Sequence, residues 1–308
     1  MAFVHLHNHS EYSMLDGATR VSDMVARAVE LGMPAVALTD HGYMYGIPEL
    51  GLACDSYNLK APARRQWKAD KAALEGGTDP AALPALAPDA DPKAVEQRAR
   101  DREAWAAAGS LDGVKPYVIK PVFGCEVYFT PDDTLARDRK PELYHMILIA
   151  RNERGYVNLM QTVSEAAVDG FYYKPRVTLD NLRRHREGLI ASSACLSGIV
   201  MRNIDRGNPA EALRWAETFR DLFEPGNFYI EIQDHGITTE SGNTEEWVNR
   251  QLIQLAEQVG VKVIATNDFH YLTREDAPVQ DIMQCIGMNA KVDDPNRMRM
   301  HGSEFYMK

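Results

Sequence analysis

The sequence predicts an α/β fold in which strands and helices alternate along the chain. Short runs of β-branched and apolar residues recur, and amphipathic stretches lie between them, a pattern typical of a parallel sheet with crossover helices. About seven repeats favour a closed or nearly closed barrel, although an open doubly wound sheet would show the same alternation. The 308 residues, 45% hydrophobic and 25% charged, suit one large domain or two smaller ones.

The strand candidates have the length expected of buried strands. They cover residues 3–8, 34–39, 117–123, 143–150, 188–193, 227–233 and 261–266. Helices are predicted over residues 24–32, 209–223 and 244–259. Pro209 in a first helical turn, and Gly32 and Gly260 after the last turns, are the boundary signals.

Residues 52–118 interrupt this alternation. The segment contains a turn cluster rich in glycine and proline at 76–92, with polar, helix-prone stretches at 64–74 and 92–108. We interpret it as a surface insertion that carries a helical pair; the alternative is a mostly disordered linker. Without the insertion about 240 residues remain, close to the ~250 of a typical barrel.

Charge and cysteine content limit the possible substrates and the cellular compartment of the protein. The formal net charge is -10, whereas a surface that binds nucleic acid by itself is usually basic. A polyanionic substrate would therefore require bound cations or a partner region. The 4 cysteines have no paired spacing, which favours thiols in a reducing compartment. Since no run approaches the ~20 apolar residues of a membrane span and no signal peptide is evident, we expect a cytoplasmic protein without a membrane partner.

The most informative feature is a run of histidines at alternate positions near the start of the chain. His5, His7 and His9 would share one face of an extended strand, and imidazole is a common ligand for zinc-like metals. The alternative is a strand whose solvent-facing side is polar. Two later strand candidates end in a carboxylate and a histidine, at Asp40-His41 and at 268–270. Because parallel strands carry functional groups at their carboxyl ends, these pairs favour a metal site.

Four more polar residues lie at or near predicted strand ends. Glu126 follows the third strand candidate, and His145 lies within the fourth, where a buried histidine needs a hydrogen bond or a metal. For Cys195 the main alternative is a small packed residue. For Asp16 it is a turn aspartate that precedes a glycine.

Together, three motifs resemble the PHP domain, named for polymerase and histidinol phosphatase. They are His5–Gly17, Thr39–Gly42 and Thr266–Tyr271. Two more, Gly170–Arg176 and Tyr229–Gly236, are similar to the branch found at the start of bacterial replicative, C-family DNA polymerase III alpha subunits. The resemblance covers nearly the whole chain except 52–118. It implies a distorted TIM-like (β/α)7 barrel of the PHP type over residues 1–308, as part of a longer polymerase.

The resemblance also implies a ligand set for three divalent ions. The matching positions are His7, His9, Asp16, His41, Glu126, His145, Cys195, Asp268 and His270. The implied grouping is His7, His9, Glu126 and Asp268 on one ion, Glu126, His145 and Cys195 on a second, and Asp16, His41 and His270 on a third. Imidazole and carboxylate ligands suit zinc, manganese or iron, and a thiolate favours zinc.

Four residues outside that set are further candidates. His5 is expected to orient a ligand through a hydrogen bond. His235 lies at a predicted strand end and is a candidate for contact with substrate phosphate. Lys174 and Arg176 are candidates for the same role, with solvated surface charge as the alternative.

The activity implied by the resemblance is that of a metal-dependent phosphodiester hydrolase, a 3′-5′ proofreading exonuclease within a DNA polymerase. Its expected partners are the primer 3′ end of DNA, the remainder of the polymerase chain and other replisome subunits. Two alternatives stay open. One is a phosphomonoesterase resembling histidinol phosphatase. The other is a catalytically silent, metal-stabilised scaffold for the polymerase core or a proofreading subunit.

Overall fold

The structure is a computed structural model that describes residues 3–60, 62–86, 90, 92–111, 119–138, 140–300 and 302–308. The strands are β1 (Ala35–Leu38), β2 (Lys120–Phe129), β3 (Tyr144–Ala150), β4 (Arg176–Val177), β5 (Leu189–Ser192), β6 (Phe228–Ile232) and β7 (Lys262–Ala265). The helices are α1 (Val21–Glu30), α2 (Ile47–Lys60), α3 (Pro62–Glu75), α4 (Pro92–Ala108), α5 (Glu153–Val168), α6 (Leu179–His185), α7 (Ile199–Asp205), α8 (Pro209–Leu222), α9 (Glu245–Val259) and α10 (Ala277–Met288).

The strands form one mixed sheet in the order β1-β2-β3-β5-β6-β7, and β4 pairs with the end of β2. The pairings are parallel except for those of β3, which runs antiparallel to β2 and to β5. The expectation of a parallel sheet is therefore wrong at β3. Among the described residues no helix separates β2 from β3, and an antiparallel neighbour can be reached without a crossover helix.

An extended segment at 5–9 closes the sheet between β1 and the loop after β7. On one side the Thr39 N–H donates to the carbonyl of Asn8 at 3.0 Å, and on the other the His9 N–H donates to the carbonyl of Phe269 at 3.0 Å. The Asn8 side chain also donates to carbonyls of its own segment and of β1, which replaces the regular ladder predicted for 3–8. Because both sheet edges meet this segment, the fold is a distorted barrel and not an open doubly wound sheet.

The three predicted helices are present. α8 and α9 match their predicted bounds within one residue, while α1 begins three residues early, at Val21. α5, α7, α8 and α9 pack against the sheet around an aromatic group that includes Phe129, Trp215 and Phe219. Of the helices that the structure describes, none has the length and apolar character to cross a bilayer.

α3 and α4 are the helical pair predicted within 52–118. Arg98 on α4 donates to both carboxylate oxygens of Asp70 on α3, at 2.6 and 2.7 Å, and three leucines form a separate small core: Leu74, Leu83 and Leu111. The described part of this segment is therefore helical, which argues against the alternative of a mostly disordered linker. Residues 61, 87–89, 91 and 112–118, which include the start of the predicted strand 117–123, lie outside the described residues.

Candidate metal centre

Nine polar side chains meet at the end of the barrel where β1, β5 and β7 finish. They are the nine expected ligand positions, and each contacts at least one other: His7, His9, Asp16, His41, Glu126, His145, Cys195, Asp268 and His270. The antiparallel direction of β3 brings the first residues of that strand to this end as well. Residues far apart in sequence thus share one small volume.

Glu126 lies at the centre of this group and is 1% exposed. Its Oε1 is 2.7 Å from Nδ1 of His145 and 3.1 Å from Nε2 of His7. Its Oε2 is 2.5 Å from Nδ1 of His41. The position of Glu126 is fixed by the backbone, since the Gly42 N–H donates to the Glu126 carbonyl at 2.7 Å. One carboxylate therefore connects three histidines from different elements.

Asp268 connects His7 and His9 of the closing segment. Its Oδ1 is 3.1 Å from Nε2 of His7 and 3.1 Å from Nε2 of His9. The residue has a φ of 44°, in the left-handed region that aspartate adopts more readily than most residues. Such backbone outliers cluster at functional sites.

Asp16 connects two histidines closer to solvent. Its Oδ2 is 3.0 Å from Nε2 of His41 and 3.6 Å from Nε2 of His270. Its Oδ1 accepts hydrogen bonds from the side-chain amides of Gln280 and Gln284 on α10, at 3.1 and 2.8 Å. Sequence reasoning missed these two glutamines, although two buried amides in a largely apolar helix need polar partners.

Cys195 lies beside His145, with Sγ 3.5 Å from Nδ1 of the histidine and 3.9 Å from Oε1 of Glu126. Burial, reinforced by the nearby carboxylates, raises the pKa of the Cys195 thiol. Since the thiolate is the form that binds metal, a cation at this position would have to displace the thiol proton.

Among the described residues, five buried polar atoms of this group make no hydrogen bond of good geometry, although each lies 2.5 to 3.1 Å from another of the five. They are Nε2 of His7, Nε2 of His9, Nδ1 of His41, Oε2 of Glu126 and Oδ1 of Asp268. Buried polar atoms are nearly always satisfied in native proteins, so a group of exceptions indicates a bound ion or water. Three overlapping sets have donor atoms close enough to share a cation: His7, His9 and Asp268; His41, Glu126 and His145; His9, His41 and His270. These side chains fit a cluster of divalent cations.

The close charges shift the pKa values of the group. Burial lowers the pKa of His41, but two neighbouring carboxylates outweigh burial and raise it to about 10. Carboxylates likewise outweigh burial and raise the pKa values of His7 and His270. Burial and two neighbouring histidines lower the pKa of His9 to about 3. Burial opposes ionisation of the carboxyl groups, yet the histidines lower the pKa values of Glu126, Asp16 and Asp268.

Glu231 on β6 supports the centre through a contact with His7. Its Oε1 lies 2.7 Å from Nδ1 of His7, and the carboxylate also accepts from Ser192, Thr266 and Gln233. Sequence reasoning missed this role. The signal was a carboxylate between two isoleucines of an apolar strand, which has to find a partner when buried.

Asp40 supports His9 through a serine. Ser13 Oγ donates to Asp40 Oδ1 at 2.6 Å and lies 2.9 Å from Nδ1 of His9. Asp40 also accepts from the N–H and the hydroxyl of Ser10. Sequence reasoning counted Asp40 with His41 as a strand-end pair that favours a metal site, whereas the structure places the Asp40 carboxylate on Ser10 and Ser13.

Two of the four further candidates have their ring nitrogens directed elsewhere. His5 Nε2 lies 2.8 Å from the Lys308 carbonyl, and its Nδ1 is buried without a hydrogen-bond partner among the described residues, so His5 makes no hydrogen bond to the group, contrary to expectation. His235 is buried, with Nδ1 3.0 Å from Glu245 Oε1 and Nε2 2.9 Å from the Asn267 carbonyl. Both nitrogens of His235 are therefore engaged, which corrects its interpretation as a phosphate contact.

The two basic candidates differ from each other. Arg176 is 2% exposed and donates to three backbone carbonyls, those of Gly170, Ala136 and Leu135. It is a structural residue and is not available to phosphate or to solvent. Lys174 is exposed, with Nζ 5.0 Å from the centre of the Tyr128 ring, and it remains a candidate.

The chain is similar to bacterial DNA polymerase III alpha subunits along its whole length. It is 35% identical to the subunit from Treponema pallidum, 34% to that from Borreliella burgdorferi and 33% to that from Helicobacter pylori. These alignments cover 99 to 100% of this chain but 21% of each relative. The chain thus spans about a fifth of the length of the curated relatives it matches.

Two solved structures show a weaker likeness. One is a putative metal-dependent phosphoesterase from Bifidobacterium adolescentis, with a TM-score of 0.39, 13% identity and coverage of 87% of both chains. The other is an amidohydrolase from Chromobacterium violaceum, with a TM-score of 0.36, 13% identity and coverage of 87% of this chain and 88% of that one. At these scores the two structures add nothing to the assignment.

The family assignment comes from the sequence match that overlaps the barrel and most of the centre. The PHP domain family matches residues 5–235, a range that includes the closing segment, β1 to β6 and the first seven of the nine side chains. The chain therefore belongs to the PHP domain family.

Proposed function

We propose that this PHP domain is a metal-dependent phosphodiester hydrolase that removes nucleotides from the 3′ end of DNA. The observation that carries the proposal is the group of five buried atoms that lie close together without hydrogen-bond geometry, because their imidazole and carboxylate chemistry suits zinc or manganese, with iron as a third candidate. The ions would be held by His7, His9, Glu126 and Asp268, by Glu126, His145 and Cys195, and by Asp16, His41 and His270.

The described residues provide a floor and an entrance for such a reaction. When bound, divalent ions lower the pKa of a water molecule toward neutrality and offset the charge of a phosphate. Glu126, His7 and His9 form the buried floor. Asp16, His41 and His145 have side chains that are 26%, 14% and 21% exposed, so a phosphodiester would approach from their side.

The similarity to polymerase subunits supports DNA as the substrate. A hydrolase attached to a polymerase can act on the primer end that the polymerase has just extended, which is the place for proofreading. The remainder of a polymerase chain, other replisome subunits and a cytoplasmic location belong to the same proposal. They derive from relatives of which this chain matches about a fifth.

The test is removal of a mispaired 3′ nucleotide from a labelled primer on a template, using the 308-residue chain loaded with zinc or manganese. Even partners of metal ligands change activity by about 10- to 100-fold, so we expect Asp16→Asn and His9→Ala to lose at least that much. Asp221→Asn, at an exposed position of α8, is the matched control. Equal trimming by all four proteins would overturn the proposal, and turnover of p-nitrophenyl phosphate without trimming would favour the phosphomonoesterase alternative.

A scaffold role is the second candidate, and α10 supports it. This helix buries two glutamines against Asp16 and exposes Val279, Ile282 and Ile286, at 53%, 50% and 63%. Apolar helix faces directed to solvent are typical of surfaces that another protein segment covers. A large fall in melting temperature after chelation, with no trimming by any variant, would favour a metal-stabilised scaffold for the polymerase core or a proofreading subunit. An unchanged melting temperature would exclude it.

A further inference from the structure

One side of the entrance is formed by a tyrosine with a lysine above it. The ring of Tyr128 lies 6.0 Å from the His41 ring and 5.5 Å from the His145 ring. Lys174 Nζ lies 5.0 Å from the centre of the Tyr128 ring, and among the described residues Lys174 has no carboxylate partner. Its charge is therefore available to an anion that reaches the entrance.

A stacked pair of tyrosines lies in the loop that follows His41. The rings of Tyr43 and Tyr45 are 5.1 Å apart and inclined by 7°, and Tyr45 is 68% exposed. The loop is tied to the centre, because the thiol of Cys125, adjacent to Glu126, lies 3.6 Å from the Tyr43 carbonyl. A flat aromatic surface thus begins two residues from a proposed ligand.

The turn that carries Lys174 presents more aromatic surface. Tyr173 is 65% exposed and has a φ of 62°, a conformation that bulky residues rarely adopt. Phe171 is 48% exposed. The turn is fixed by the Tyr172 N–H, which donates to the Lys174 carbonyl at 3.1 Å. Exposed aromatic rings grouped in this way indicate a binding surface.

We propose that these residues form a rim, defined as Tyr43, Tyr45, Tyr128, Tyr173 and Lys174, that binds the unpaired 3′-terminal nucleotides of single-stranded DNA. Lys174 contacts a backbone phosphate beside the entrance, and Tyr45 stacks on a base. Every base has an aromatic face, so stacking selects unpaired bases without selecting sequence. The inference rests on the proposed function and deepens it, because it makes a frayed or mispaired end the preferred substrate.

The charge of the chain agrees with recognition of a short end. A net charge of -10 argues against a long basic track that follows a duplex backbone. Aromatic stacking needs no such track, and Lys174 lies where the strand would pass into the centre. A small phosphomonoester would leave the rim unused.

The experiment measures binding and hydrolysis separately on the metal-loaded 308-residue chain. Binding is followed by fluorescence anisotropy of a labelled short oligothymidine with 3′-terminal phosphorothioate linkages, which resist cleavage. Loss of one stacked base is expected to weaken binding by about tenfold in Tyr45→Ala. In Lys174→Ala the slope of log K against log salt should become shallower by about 0.7, the contribution of one single-strand phosphate contact.

The controls are Tyr57→Ala on α2 and Lys262→Ala at the start of β7, both exposed, which should bind like the unaltered chain. Hydrolysis of bis(p-nitrophenyl) phosphate should fall less in the two rim variants than hydrolysis of an unmodified oligothymidine. Unchanged oligothymidine binding and salt slope in both variants would overturn the rim and leave the proposed hydrolysis intact. If the proposed function fails instead, the unaltered chain hydrolyses neither substrate, while its binding still depends on Tyr45 and Lys174.

Discussion

At the scale of single residues, the centre depends on which nitrogen of each histidine points inward. Glu231 can only accept a hydrogen bond, so His7 must present Nδ1–H to it and keep Nε2 for the centre. The Ser13 hydroxyl donates to Asp40, so its oxygen accepts from Nδ1 of His9, and Nε2 again faces inward. These assignments follow from the hydrogen-bond pattern. The supporting carboxylates therefore prepare both rings to bind a cation.

The role of Glu231 leads to a prediction about metal affinity. Glu231→Gln removes the charge that strengthens His7 as a ligand and keeps the shape of the side chain. We expect the affinity for zinc or manganese to fall by about 10- to 100-fold, measured by competition with a coloured chelator. Glu217→Gln, at an exposed position of α8, is the control. Equal affinities in both variants would show that His7 needs no carboxylate partner.

The family resemblance implied the nine positions that the structure brings together, and their role as ligands stays a prediction; their supporting residues could not be predicted. Most of the nine positions lie in short motifs at strand ends, where residue type and spacing both carry information. Glu231, Asp40 and the two glutamines of α10 act through partners more than twenty-five positions away in the sequence. Arg176 was wrongly predicted as a candidate for phosphate contact. In the sequence, an arginine near Lys174 cannot be told apart as one that binds phosphate or one that binds backbone carbonyls.

At the scale of elements, the sequence predicted where strands and helices lie better than how the strands pair. The apolar runs located the longer strands, and end signals located α1, α8 and α9, since burial and end signals are local properties. The helices α2, α5, α6, α7 and α10 were not predicted. The direction of β3 and the two-residue strand β4 depend on tertiary hydrogen bonds that no local pattern records. The segment 5–9 illustrates this point. It is extended as predicted, yet the Asn8 side chain takes hydrogen bonds that a regular strand would make through its backbone.

The side chain of Arg176 joins β4 to two neighbouring loops, which gives a prediction for stability. Arg176→Ala would leave three carbonyls without their donor, those of Gly170, Ala136 and Leu135. Since hydrogen bonds to charged groups contribute about 1.5–3 kcal/mol each, we expect a loss of about 3 kcal/mol in the free energy of unfolding, measured in urea. Arg250→Ala removes an exposed i,i+4 ion pair on α9 and should change stability by less than about 0.5 kcal/mol. Equal effects would mean that the arginine fork does not hold β4.

At the scale of the whole molecule, the barrel gathers acidic and imidazole groups that would repel or neutralise one another without a cation. The chain is acidic overall, and three ionised carboxylates lie at the bottom of its entrance. In the absence of metal, protons on His7, His41 and His270 offset those charges, which is why the pKa values of these histidines are raised. Protons and metal ions therefore compete for the same site.

This competition predicts that metal binding releases protons and weakens as pH falls. At pH 7.5 His41, whose pKa is raised to about 10, is protonated, and the raised pKa values of His7 and His270 favour their protonated forms, while Glu126, Asp16 and Asp268, whose pKa values are lowered, are already ionised. Each histidine ligand must lose its proton to bind metal, and so must the Cys195 thiol. Affinity should therefore rise with pH through the range below the raised histidine pKa values and fall steadily from pH 8 to pH 5.

Calorimetric titration of zinc into the metal-free chain, in buffers with different ionisation enthalpies, gives the number of protons released. We expect more than one proton per chain at pH 7.5, with the carboxylates contributing none. Replacing His41, whose pKa is raised to about 10, by asparagine should reduce that number. Asp221→Asn, which lies outside the centre, should leave it unchanged. Binding that releases no protons and keeps one affinity from pH 8 to pH 5 would mean that cations do not occupy the histidine nitrogens, and the metal assignment would then fail for the whole centre.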